Sequence, residues 1–132
     1  MLNYPIKILV AFGETISGNE KIYNWLLTKG YPELAALSNA IRGSEEALKW
    51  LLKNGYHHLA ALDAAIDSDP KATKWLIENN WEIMATFAKA SAEDMEAMAW
   101  LAKNDLNVFV IIARKIIAFR NNQTFDYHKI HF

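Results

Sequence analysis

Between Pro32 and Arg42 the apolar residues Leu34, Leu37 and Ile41 fall at i, i+3 and i+7, with Ala35, Ala36 and Ala40 between them. This is the spacing of one helical face, not the alternation of a strand. Pro32 suits the first helical position, where a missing N–H costs nothing. Gly43 and Ser44 end the pattern, and Ser44 is placed to cap a second helix whose apolar positions are Ala47, Leu48, Trp50, Leu51 and Leu52, closed by Gly55. The stretch therefore predicts a helical hairpin.

The pattern returns 25 residues later, YPELAALSNAIRGSEEALKWLLKNG from Tyr31 being answered by YHHLAALDAAIDSDPKATKWLIENN from Tyr56. Trp25, Trp50, Trp75 and Trp100 keep that spacing, each followed by a leucine (Leu26, Leu51, Leu76, Leu101). A fixed period of this size marks stacked units. Leu9, Phe12 and Ile16 put residues 5–30 in the same register, so the units run 5–30, 31–55, 56–80 and 81–105, with a closing helix and tail in 106–132. Residues 1–132 form one domain in this reading, an all-α solenoid of stacked helix-turn-helix repeats with period 25. Asp69 before Pro70 and Asp94 are the matching caps, although Ser91 with Asp94 three residues on allows an earlier start through a capping box. Gly30 and Gly55 give way to Asn80 and Asp105, so the later joints are expected to be less regular. The last helix should run to about Arg120, with Phe125 to Phe132 as a tail.

The segment EALKWLLKNGY resembles the second helix of an ankyrin repeat, and ELAAL resembles the first. The ankyrin period is about 33, and its TPLH turn is absent here; the shortfall of roughly eight residues is what loss of the projecting hairpin would leave. The resemblance implies a right-handed array that binds a partner on one face, without hairpin-tip contacts.

Composition narrows the function. The formal charge is -1 and cysteine is absent, which excludes disulfides and thiol chemistry and removes the basic footprint expected of a nucleic-acid partner. The apolar run Ile8 to Phe12 is too short for an export signal. Val108 to Phe119 is interrupted by Arg114 and Lys115 and falls short of a membrane span. The expectation is a soluble, cytoplasmic chain.

Candidate chemistry is sparse. GETISG, Gly13 to Gly18, has the outline of a phosphate loop, but Asn19 and Glu20 replace its Lys and hydroxyl residue. His57 and His58 are adjacent and lack the i, i+4 partner of a helical metal pair. His128 and His131, near Asp126, read as solvated residues. No catalytic constellation, metal site or cofactor is expected, and the chain is read as a non-enzyme. The tryptophan column reads as packing between hairpins, and Tyr31, Tyr56 and Trp81 as residues folded onto the preceding helix end.

Down the columns, Glu46, Lys71 and Glu96 alternate in sign, as do Lys53, Glu78 and Lys103, which predicts a self-compensated ladder along the second helices. A protein partner would then meet the outward positions of the first helices: Asn39 and Arg42 in one unit, entered by Pro32; His57, Asp63 and Asp67 in the next; Glu82 and Lys89 in the third. Tyr31, Tyr56 and Trp81 would stand at the edge as aromatic anchors. Two alternatives remain open: a small-ligand protein or enzyme with a pocket between repeats, and a peripheral membrane or toxin-antitoxin-like partner whose apolar last helix is covered by another chain. Phe125, Tyr127, Ile130 and Phe132 are expected to fold back and cover Val110 and Ile117 of this helix; a dimer through it is the other outcome.

Overall fold

The computed structural model describes residues 3–130, with side chains described through Asn122. Nine helices lie among them: α1 (Ile6–Ile16), α2 (Glu20–Thr28), α3 (Pro32–Ile41), α4 (Glu45–Lys53), α5 (His57–Ile66), α6 (Pro70–Glu78), α7 (Glu82–Ser91), α8 (Met95–Lys103) and α9 (Asn107–Ile130). The described residues contain no strand.

Each even-numbered helix starts on a side-chain cap. Asn19, Ser44, Asp69 and Asp94 accept from the backbone N–H groups of Ile22, Ala47, Lys71 and Ala97, satisfying donors that the first turn leaves unpaired. Asp94 therefore starts α8, and Ser91 belongs to the end of α7, where its hydroxyl donates to the Phe87 carbonyl at 2.9 Å. The opposite ends repeat as well: Asn54, Asn79 and Asn104 each donate through Nδ2 to the carbonyl of Trp50, Trp75 or Trp100 at 2.8 Å.

The later joints are as regular as the earlier ones, contrary to the expectation from Asn80 and Asp105. Both adopt the left-handed conformation of Gly30 and Gly55. Trp81 and Leu106 donate to the Leu76 and Leu101 carbonyls just as Tyr31 and Tyr56 donate to those of Leu26 and Leu51. The fold imposes the turn and the side chain bears the strain.

The odd-numbered helices form an inner ring. α1 packs on α3, α3 on α5, α5 on α7, α7 on α9, and α9 returns to α1. Phe12, Leu37, Leu62, Phe87 and Ile112, one from each inner helix in the same register, are at most 1% exposed and fill the ring. Each outer helix inserts one leucine, Leu26, Leu51, Leu76 or Leu101, all fully buried, against the inner helices it covers. The five inner helices close on themselves because α9 fits beside α1: Gly13 leaves room for Ile112 and Lys115, which would lie 3.3 Å from a β-carbon there.

α9 departs from the sequence expectation. It is one helix of 24 residues, about 36 Å long, so the segment after Arg120 continues the helix and does not fold back. Phe132 and the side chains of Phe125, Tyr127 and Ile130 lie outside the described residues. Val110, expected to need the tail as its cover, is buried in the core where α9 packs on α7 and α8, and Ile117 is half-buried against the core.

Candidate functional site

The outer helices rest mainly on inner helices and not on one another, so a groove runs between each successive pair. On either side of the buried leucine, the preceding tryptophan and the following aliphatic residue point about 100° away in opposite directions. One flank of each helix then faces the other flank of the next. Between α2 and α4, Leu27 and Trp50 wall a cavity of about 420 Å³ floored by Pro32, Ala36 and Asn39 of α3. Its polar end widens into about 600 Å³ lined by Tyr23, Asn24, Asn39, Arg42 and Ser44, with Glu20 at the rim. Leu52 with Trp75 and Ile77 with Trp100 repeat the arrangement by register. Ile77 and Thr73 line a further cavity of about 620 Å³, reached by Lys89 from α7.

These walls are open to solvent. Trp50 and Trp75 are 37% exposed and Trp100 is 44% exposed, and Leu27, Leu52 and Ile77 are also exposed. The tryptophan column is therefore not buried between hairpins. The leucine after each tryptophan occupies that place, and an indole one position earlier on a nine-residue helix is turned onto the flank.

The residues singled out from sequence divide into three sets. Asn39 sits on the floor of the first groove and donates to the Tyr23 hydroxyl at 2.9 Å; Lys89 reaches the third, and His57 and Glu82, both exposed, take the register position of Pro32 on the floors. A second set is held at the far rim of the ring. Arg42 donates to the Thr15 carbonyl at 3.2 Å and lies over the Phe119 ring of α9, while Arg120 of α9 donates to the Ile66 carbonyl and pairs with Asp67. Two guanidinium groups thus meet the negative ends of α1 and α5. Asp63 is not on an outward face: it is 7% exposed, between inner helices. Burial, with Asp67 nearby and only partly offset by Arg120, pushes its carboxyl up to about 6.

The third set is aromatic. Tyr31, Tyr56 and Trp81 are half-buried at the starts of their helices and packed against the core. Trp50 stacks on Tyr56 at 5.8 Å, and His58 stacks on Trp81 at 4.7 Å and lies 6.4 Å from Tyr56, so one run of rings crosses three units. Beneath it, buried Glu33 accepts a hydrogen bond from the Tyr4 hydroxyl at 3.1 Å. Burial first, then the Glu33 charge, raises the Tyr4 phenol. The Glu33 charge is the main cause of the rise at Tyr56, and burial lowers His58.

The charge ladder expected along the outer helices does not form among the described residues. The outer ion pair there is Lys74 with Glu78, one turn apart on α6, because the grooves hold neighbouring outer helices apart. Leu27 and Ile77 were not singled out from the sequence, and Leu52 was counted with the packing positions although it is exposed. Their signal was present in the runs Trp-Leu-Leu and Trp-Leu-Ile, which spread apolar character over more of a helix than one buried stripe can cover.

Among the described residues no three His, Asp or Glu side chains converge as a metal-binding set, and no helix is long and apolar enough to cross a membrane. His128, His131 and the Asp126 side chain lie outside the described residues. Comparison with protein-family models, with curated proteins and with solved structures yields no match.

Proposed function

We propose that the chain is a protein-interaction module, an ankyrin-like array of 25-residue helical units in the cytoplasm, which holds an apolar segment of a partner protein in its outer grooves. The observation that carries this reading is the facing of exposed Leu27 and Trp50 across the first groove, with Leu52, Ile77, Trp75 and Trp100 exposed at the same register positions in the later units. Apolar side chains exposed in register form a patch, and such patches mark interaction surfaces; tryptophan is among the residues that dominate binding energy. The floor residues Asn39, His57, Glu82 and Lys89 change in size and sign from groove to groove, which gives the surface a means of discrimination. No catalytic step or cofactor enters this reading.

The test is crosslinking in the source cell followed by reconstitution with the purified partner. A protein recovered with the native chain should be lost with a Trp50→Ala, Trp75→Ala, Trp100→Ala variant of unchanged helicity, and should bind more weakly to a His57→Ala, Glu82→Ala, Lys89→Ala variant. Equal recovery by all three overturns the reading.

A second reading rests on the polar end of the first groove, where Tyr23, Asn39 and Arg42 line about 600 Å³, a volume suited to a small polar ligand. Thermal stabilisation by a small molecule that disappears in Tyr23→Phe, Asn39→Leu would favour it.

A further inference from the structure

The inner ring has five helices and the outer layer four. α2, α4, α6 and α8 each cover the seam between two consecutive inner helices, while the seam between α9 and α1 carries no outer helix among the described residues. The residues beside that seam are the wrong kind for an idle surface. In the register position of Ala35, Ala60, Ala85 and Val110, all at most 7% exposed, α1 places Val10 at 48%. In that of Ala36, Ala61 and Thr86, α9 places Ile111 at 53%. Ile6 lies a turn before Val10 and is 70% exposed. At Ile111, and at Val10 relative to the first three of its column, a larger aliphatic side chain stands where no outer helix covers it.

Charge gives the occupant its sign. α1 and α9 through Asn122 contain one acid, Glu14, and four bases, Lys7, Arg114, Lys115 and Arg120. Glu14 is engaged by Lys115 at 3.2 Å and Arg120 by Asp67, so Arg114, and Lys7 with its ammonium 5.9 Å from the Trp25 ring centroid, are the exposed bases on the two helices that border the seam. Three of the four existing outer helices bring acids in their first turn: Glu20, Glu45 with Glu46, and Glu96.

We propose that the seam between α9 and α1 receives a short acidic amphipathic helix of a partner protein, which takes the fifth outer position and inserts a leucine between Val10 and Ile111 as Leu51 inserts between α3 and α5. This surface is separate from the grooves, and its failure would leave the groove reading untouched. The seam is already held by the Glu14–Lys115 pair and by Gly13 against Ile112, so the docked helix covers a preformed surface and does not have to assemble it.

The probe is a side-chain-stapled peptide carrying the Ser44–Asn54 pattern with both of its lysines replaced by glutamate, titrated into the isotope-labelled full chain. Amide shifts should concentrate at Ile6, Val10 and Ile111 and spare Trp75. Affinity should fall at least tenfold in Val10→Asp, Ile111→Asp, whose exposed positions leave the melting temperature unchanged, and should fall with added salt. A peptide of the same composition in scrambled order should not bind. Absent shifts, or shifts centred on Trp75, would overturn the proposal. A concentration-dependent dimer abolished by the same double variant would overturn it too, by assigning the seam to a second copy of the chain.

Discussion

The Lys115 ammonium of α9 lies 3.2 Å from the Glu14 carboxylate of α1, joining residues 101 positions apart. The last described helix therefore closes on the first. Beside this pair Gly13 is buried in the interior of α1, and a β-carbon added there would stand 3.3 Å from Ile112 and Lys115. Gly13→Leu should lower stability by ~1–3 kcal/mol through overpacking of the seam. Gly13→Ala should be near neutral, because a helix-propensity gain of up to ~1 kcal/mol offsets the tight contact. Chemical denaturation of both variants checks the closure, and an equal, small effect of the two would argue that α9 does not seat on α1.

Leu76 and Trp75 are adjacent in sequence and opposite in role. Leu76 is fully buried and Trp75 is 37% exposed. Leu76→Ala should cost ~2–5 kcal/mol through the cavity it leaves. Trp75→Ala should cost about 1–2 kcal/mol, since much of its area is already in water. Measured in the same denaturant series, a larger loss at Trp75 would place the indole in the core and remove the wall of the second groove.

What the sequence disclosed and what it hid follow from the same physics. Periodicity located the hairpins because Leu34, Leu37 and Ile41 must share a face, and Ser44, Asp69 and Asp94 announced themselves because capping needs a short polar side chain at one position. Closure was hidden. Whether α9 meets α1 depends on the small rotation between successive units summed over the array, and no local pattern records that sum. The tryptophan column misled for a related reason: a constant residue at a constant register is equally suited to packing and to a repeated surface, and only the placement of Leu51 beside Trp50 separates the two. Asp63 was read as outward because it is a charged first-helix position that differs in size and sign from its counterparts in other units, yet it shares its register with Gly13, Ser38, Ala88 and Ala113, a column of mostly small residues where inner helices approach closely.

Among the described residues, four other than glycine sit at positive φ: Ser68 at 67°, Asn80 at 65°, Glu93 at 71° and Asp105 at 59°. Glu93 takes the place of Gly18 and Gly43, with its N–H donating to the Ala90 carbonyl and that of Asp94 to the Lys89 carbonyl. Left-handed backbone costs a residue with a β-carbon ~1–2 kcal/mol. Glu93→Gly should therefore raise stability by about 1 kcal/mol, and Gly43→Ala should lower it by a similar amount. Thermal melts of the two variants should move in these opposite directions; the reverse pair of shifts, Glu93→Gly down and Gly43→Ala up, would mean that chain entropy outweighs strain at this joint.

Asp63 gives the fold a pH dependence of a particular sign. Its carboxyl titrates at about 6 in the folded chain, above the ~3.9 of an unfolded aspartate. Between these values the folded state holds more protons than the unfolded one, so this group's contribution is fully present below pH ~4 and is lost as pH rises through about 6. The cause is the buried setting beside Asp67, which Arg120 relieves only in part. Asp63→Asn removes the titration while keeping the size of the side chain. The variant should match the native chain near pH 4 and exceed it at pH 7.5 by on the order of 2 kcal/mol, as read from urea midpoints at the two values. A constant difference across that range would mean that the Asp63 carboxyl titrates alike in the folded and unfolded chains, and that the space between α3 and α5 is wetter than its burial indicates.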